Sequence, residues 1–164
     1  MAELDIEALL RELVEGQVEF LLIGGVAVAY HGYVRSTKDV DVVPASDRNN
    51  LERLAAVLGH LEAQVEGAED FDEGELPDPL DPAVLELGGN WVLSTRLGRL
   101  DVMQWIGDHE LWSELSPTAI QEQIGGLPVK IVSYEDLVRL KELAGRPEDL
   151  LDLQHLREAQ KGER

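Results

Sequence analysis

Asp39 and Asp41 stand two residues apart in Asp39-Val-Asp41-Val-Val43, an otherwise apolar run. In a strand, residues i and i+2 share one face about 6–7 Å apart, so both carboxylates can converge on one or two divalent cations. Charges placed in apolar surroundings must be paired or must hold a cation. Mg²⁺ prefers hard oxygen ligands and keeps positions open for phosphates and water. Upstream, the apolar run Phe20-Leu-Leu-Ile23 meets Gly24-Gly25. A glycine turn after a strand lets a phosphate approach backbone N–H groups. A bare Asp-x-Asp also suits a solvated strand face or a pair of salt bridges. Gly-Gly alone is weak, since Gly88-Gly89 and Gly125-Gly126 repeat it. In combination the two features point to a site for a nucleoside triphosphate with metal.

Such chemistry wants a third carboxylate. Asp101 is the candidate, a lone acid in the strand-like run Arg99-Leu-Asp101-Val-Met-Gln-Trp105. It either completes the metal site or pairs with Arg96 or Arg99. Arg35, Ser36 and Thr37 directly precede the aspartate strand. Arg35 is free to touch phosphate or acceptor, or to pair with a surface acid. His31 before Gly32 reads as a satisfied histidine at a helix C-terminus. Trp91, Trp105 and Trp112 read as packing residues rather than as platforms for a base.

The elements that must hold these residues follow from periodicity. Ile6, Leu9, Leu10, Leu13 and Val14 form one helical stripe that Gly16 is expected to stop. Glu19–Ile23 reads as a buried strand and Val26–His31 as a short helix. Asp39–Val43 is a strand ended by Pro44. Ser46 is the expected cap of a helix through Leu51, Leu54, Leu58 and Leu61. Residues 67–82 are acidic, hold three prolines and read as a loop. Trp91–Thr95 and Arg99–Ile106 are expected strands around a turn near Gly98. Ala119–Ile124 and Pro128–Val132 form a second hairpin around Gly125-Gly126. Ser133, three residues before Asp136, opens a helix that Gly145 stops, and Pro147-Glu148-Asp149 opens a last one. This is an α+β (α/β) pattern with a mixed β-sheet, flanking helices and a helical C-terminus.

Composition limits the function classes. At 164 residues and 44% apolar content, one domain with a real core is expected, spanning 1–164. Its core would cover about 18–132 and its C-terminal helical segment about 133–161. The absence of cysteine excludes disulfides, thiolate metal sites and thiol nucleophiles. No apolar run reaches the roughly 18 residues a membrane span needs, and no secretion signal is read at the N-terminus, so a cytoplasmic location is expected. The net charge of −19 opposes bulk attraction to nucleic acid. The charge is uneven, because Leu54–Thr95 carries ten acids and no Lys or Arg. Arg35, Lys38, Arg96, Arg99, Lys130, Lys141 and Arg146 flank the motifs, so a local basic pocket for an RNA substrate stays compatible with the sequence.

Gly24-Gly25, the short helix, Asp39-Val-Asp41-Val and the later strand with Asp101 resemble the nucleotidyltransferase superfamily with the DNA polymerase β-like fold. The stretch from Gly24 through His31-Gly32, Arg35 and Thr37 to Asp41 is similar to its small prokaryotic branch, which includes the AbiEii-type toxins. Lys141, Gly145-Arg146, Asp149 and Asp152 resemble the same branch, with Glu148 standing where a lysine is common. The resemblance covers about residues 18–156. It implies transfer of a nucleoside monophosphate from an NTP, with pyrophosphate released, to an RNA or protein hydroxyl. Asp39, Asp41 and Asp101 would hold Mg²⁺ (or Mn²⁺), and Asp101 would help activate the acceptor. Gly24, Gly25, Arg35, Thr37, Lys141 and Arg146 would face the nucleotide. A toxin role, with a cognate antitoxin as partner, would follow if the gene stands beside one. The contrasting expectation is a non-catalytic nucleotide-binding or protein-interaction module of the same fold.

Overall fold

The computed structural model describes residues 2–162. Among the described residues, nine strands and seven helices follow in chain order: α1 (Ile6–Glu15), β1 (Phe20–Ile23), α2 (Gly24–Tyr30), β2 (Asp39–Pro44), α3 (Arg48–His60), β3 (Gln64–Val65), α4 (Pro82–Glu86), β4 (Asn90–Thr95), β5 (Gly98–Met103), β6 (Trp105–Ile106), β7 (His109–Glu110), α5 (Leu111–Leu115), β8 (Ile120–Ile124), β9 (Leu127–Ile131), α6 (Tyr134–Ala144) and α7 (Pro147–Gly162). Seven strands form one mixed sheet in the order β3-β4-β5-β2-β1-β9-β8. β2 runs parallel to β5 and antiparallel to β1, while β1 runs parallel to β9. The fold class is therefore the expected α+β mixed sheet with flanking helices.

Alternation along the two central strands separates core from site. Val40, Val42, Leu100 and Val102 are fully buried, whereas Asp39, Asp41, Arg99 and Asp101 are half-buried on the opposite face. The valines and leucines join Leu9, Leu10 and Leu13 of α1 and Leu51, Leu54 and Leu58 of α3 in one continuous core. β1 is buried at all four positions, as a central strand covered on both faces must be.

Local signals mostly place the element ends. Ser133 accepts a hydrogen bond from the Asp136 N–H at the start of α6, and Gly145 ends that helix at φ +62°. Gly16 ends α1 as expected: it is the C-cap, at φ −74°, and the left-handed residue that follows is Gln17, at φ +59°. Two expectations are corrected. Asp47, not Ser46, caps α3, its carboxylate accepting from the Asn50 N–H. The expected strand Arg99–Ile106 stops at Met103, because Gln104 N–H donates to Gly89 and Asn90, and Trp105–Ile106 turn away to pair with His109–Glu110. Strands β3, β6 and β7 and helices α4 and α5 were not foreseen. Residues 67–81 are irregular apart from one 3₁₀ turn at Ala68–Asp70.

Candidate active site

The register between β2 and β5 builds the acidic centre. In this parallel pair Asp41 sits opposite Asp101, and Asp39 opposite Arg99. One carboxylate oxygen from each of Asp39, Asp41 and Asp101 lies within 4.8 Å of the others. Among the described residues this is the one cluster of three such groups placed to hold a metal ion. Arg99 serves as its resident cation. Its Nε and Nη2 donate to the two Asp101 oxygens at 3.0 and 3.1 Å, and its Nε lies 3.5 Å from Asp39 and 3.7 Å from Glu66. Both readings of Asp101 thus describe one geometry, since the carboxylate joins the cluster and pairs with Arg99.

One guanidinium does not neutralise three carboxylates. Burial, and then the charges of Asp39 and Asp101, push the Asp41 carboxyl up to about 8. Asp39 is raised by burial and by Asp101, with Arg99 opposing. Three hard oxygen donors at this spacing, with too little positive charge around them, fit a divalent cation.

The glycines abut this centre. Gly24-Gly25 belong to the first turn of α2, which therefore starts two residues before the expected Val26. Gly24 adopts φ +67°, and a Cβ there would lie 1.9 Å from Asp41 Oδ2. No side chain fits between this turn and the carboxylate. A Cβ on Gly25 would meet Thr37 Oγ1 at 2.6 Å and Arg35 Nη1 at 3.4 Å. Thr37 Oγ1 donates to the Asp39 carbonyl, 3.0 Å away, which fixes the entry into β2.

The C-terminal helices bring the basic residues. Arg35 Nε and Nη2 donate to the two oxygens of Asp152 at 2.8 and 2.9 Å. Lys141 is buried, with Nζ 3.0 Å from both Asp149 and Asp152. The solvated face usual for a helical lysine is not found here. Arg146 Nε donates to Asp149 at 2.8 Å, and its Nη1 lies 3.1 Å from Glu148. Burial alone would raise Asp149 and Asp152. Hydrogen bonds from Arg146 and Lys141 to the first, and from Arg35 and Lys141 to the second, instead hold both below the usual carboxylate range.

His31 caps α2, its Nε2 lying 2.8 Å from the Val132 carbonyl. Trp91 and Trp112 pack against the core, whereas Trp105 is 38% exposed. Sequence reasoning did not assign Arg99, Asp149 or Asp152 to the site. For the last two a signal existed, because Asp149, Asp152, Leu153 and Leu156 fall on one buried helical stripe. Charges within an apolar stripe need partners.

Solved structures share this architecture. The chain is similar to lincomycin-bound lincosamide antibiotic adenylyltransferase LnuA, at 13% identity and TM-score 0.62 over 94% of this chain and 98% of that one. It is similar to ANT(2")-Ia in complex with adenylyl-2"-tobramycin, at 17% identity and TM-score 0.56 over 92% and 84%. An antigenic nucleotidyltransferase-like protein from Paracoccidioides brasiliensis matches at 20% identity and TM-score 0.56 over 92% and 72%. At these identities the likeness establishes the nucleotidyltransferase fold. No curated protein sequence matches. The family described as "Nucleotidyl transferase of unknown function (DUF2204)" matches residues 2–164. With its whole described length inside that match, this chain belongs to this nucleotidyl transferase family.

Proposed function

We propose that this chain, acting as one domain, is a divalent-metal-dependent enzyme that moves a nucleoside monophosphate from an NTP to an acceptor hydroxyl. The observation that carries this reading is the convergence of Asp39, Asp41 and Asp101 within 4.8 Å, beside a glycine turn with no room for a side chain. Asp39, Asp41 and Asp101 would hold Mg²⁺ (or Mn²⁺), which would supply positive charge at the reacting phosphate and acidify the attacking hydroxyl. Asp101 takes the acceptor proton. The acceptor oxygen forms a bond to the α-phosphorus, the bond to the bridging oxygen breaks, and pyrophosphate leaves. Backbone N–H groups at Gly24 and Gly25, with Arg35, Thr37 and Arg146, face the triphosphate. Lys141 contributes by holding Asp149 and Asp152.

The acceptor is an RNA or protein hydroxyl in the reading that the AbiEii-like pattern supports, with a cognate antitoxin as partner and a cytoplasmic setting. Among the described residues no helix is long and apolar enough to cross a membrane. A second reading, a small-molecule hydroxyl, is favoured by one observation. Glu66, 3.7 Å from Arg99, opens the acid-rich stretch beside the aspartates, where polyanionic RNA is repelled. The two structural neighbours with antibiotics in their descriptions accord with it.

Incubation with each labelled NTP, Mg²⁺ or Mn²⁺, and separated RNA, protein and small-molecule fractions of a lysate tests the proposal. Label is expected in one fraction and absent for Asp39→Ala/Asp41→Ala. Transfer that survives in the double variant would overturn the site. No transfer and no metal-dependent NTP binding would leave the non-catalytic module as the better account.

A further inference from the structure

The segment between α2 and β2, residues 31–38, carries Arg35 and Thr37; the N–H groups of His31, Gly32 and Tyr33 donate back to α2, and residues 34–38 lie outside helix and strand. Beyond those bonds it packs against α7. The Tyr33 ring stacks on His155 at 4.1 Å between centroids. Gly32 adopts φ +114°, and a Cβ on it would lie 2.9 Å from Ala159 Cβ. The polar member of this set is Arg35, whose side chain is 30% exposed while that of Asp152 is 2% exposed.

The pair is planar and two-pronged. Arg35 gives Nε and Nη2 to the two Asp152 oxygens, so the orientation of the guanidinium is fixed, not only its position. Lys141 fixes Asp152 in turn, with Nζ 3.0 Å from both Asp152 and Asp149. The remaining nitrogen, Nη1, donates to the Ser36 carbonyl at 3.1 Å and lies against Gly25, 3.4 Å from where a Cβ would stand. A buried carboxylate that grips the distal face of an arginine leaves its other edge directed at the glycine turn.

We propose that Asp152 is a positioning residue for nucleotide binding: with Lys141 locked behind it, it aims the Nη1 edge of Arg35 across the Gly24-Gly25 turn toward the triphosphate. This rests on the nucleotidyl-transfer reading of the same site. Asp152 touches no substrate and acts through Arg35. Arg35 retains two donors committed to Asp152 and presents the third to a phosphate oxygen, exchanging the neutral Ser36 carbonyl for an anionic acceptor. Orienting the fork before the nucleotide arrives removes a conformational cost from binding.

The test is a double-mutant cycle on the full chain, with Arg35→Gln, Asp152→Asn and the pair, read as KM for the NTP against kcat, and independently as dissociation of a non-hydrolysable NTP analogue with Mg²⁺. Each single variant is expected to raise KM and the analogue Kd by roughly tenfold or more, the scale of one charge-assisted hydrogen bond, with kcat changed less. The double variant is expected to be no worse than the worse single one. Arg35→Lys, which keeps the charge and leaves Asp152 paired with Lys141, is expected to show the same KM defect, and it decides the matter if Asp152→Asn does not fold. Additive effects, or an Asp152→Asn that lowers Tm while KM and Kd stay at wild-type values, would reduce Asp152 to a structural residue. Wild-type protein that binds no analogue under any metal condition would sink the parent reading itself, and this inference with it.

Discussion

Two groups of aspartates lie close together in this molecule in opposite electrostatic states. Asp39, Asp41 and Asp101 share the single guanidinium of Arg99, and burial with mutual repulsion raises Asp41 to about 8. Asp149 and Asp152 meet Lys141, Arg35 and Arg146, and both carboxyls are lowered. Asp149 and Asp152 are the less solvent-exposed of the two groups and yet the lowered ones, so the sign of the shift follows the supply of cations. The first group is built to receive positive charge from outside. The second has already been satisfied from within, and its satisfaction orients the arginines beside the first.

The comparison can be broken by removing either group. Asp39→Asn/Asp41→Asn is expected to lower label transfer on the order of a thousandfold, several kcal/mol of transition-state stabilisation, without lowering Tm. A loss of stability instead would mean that these carboxylates are structural. Asp149→Ala leaves Lys141 buried with one partner fewer. It is expected to destabilise the fold by about 3–5 kcal/mol, read as the urea midpoint at constant m.

The two groups also predict opposite pH limbs. Asp41 titrates near 8 in the folded, metal-free protein against an ordinary value of 3.8. Between these values the folded state keeps a proton that the unfolded chain has released. That contribution is full below about pH 4 and is lost as pH rises toward 8. Asp149 and Asp152, with lowered folded values, contribute above their ordinary value, and this is lost as pH falls through and below it. Thermal melts from pH 3 to 9 with chelator should therefore show both limbs. Asp41→Asn is expected to flatten the alkaline one, and a bound divalent cation to offset it. Persistence of that limb in Asp41→Asn would assign it elsewhere.

Smaller substitutions sharpen the contrast. Gly145→Ala strains the left-handed turn that swings Asp149 back toward Lys141, and should cost about 1 kcal/mol in chemical denaturation. Glu148→Lys reverses the charge at the start of α7. With both side chains of the Arg146–Glu148 pair more than 60% exposed, its effect on stability is expected within about 0.5 kcal/mol. A larger change would show that the rim couples to the buried pair.

What the sequence disclosed follows the range of the forces involved. The period of two along Asp39-Val-Asp41 and Arg99-Leu-Asp101 is a backbone property, so the shared face was legible before pairing was known. Ser133 and Gly145 act within one helical turn and were legible for the same reason. The register that sets Asp41 against Asp101 is a tertiary fact, and their convergence was an expectation that only the sheet could meet. The Arg35–Asp152 pair depends on how α7 crosses the segment after α2, and no local pattern encodes that angle. Short elements such as β6 and β7 fell below the length at which periodicity speaks, and Gln104, held by Gly89 and Asn90, ended a strand whose residues favour continuing it.

The Arg35–Asp152 clamp joins residues 117 positions apart. On a ribosome, where folding proceeds from the N-terminal side, the strand with Asp39 and Asp41 emerges long before its clamp does. Until residue 152 is free, Arg35 has no fixed orientation and the aspartates lack the basic neighbours that α7 organises. On the nucleotidyl-transfer reading, the basic side of the site is thus organised only after α7 has been made, well after the strand that carries its aspartates.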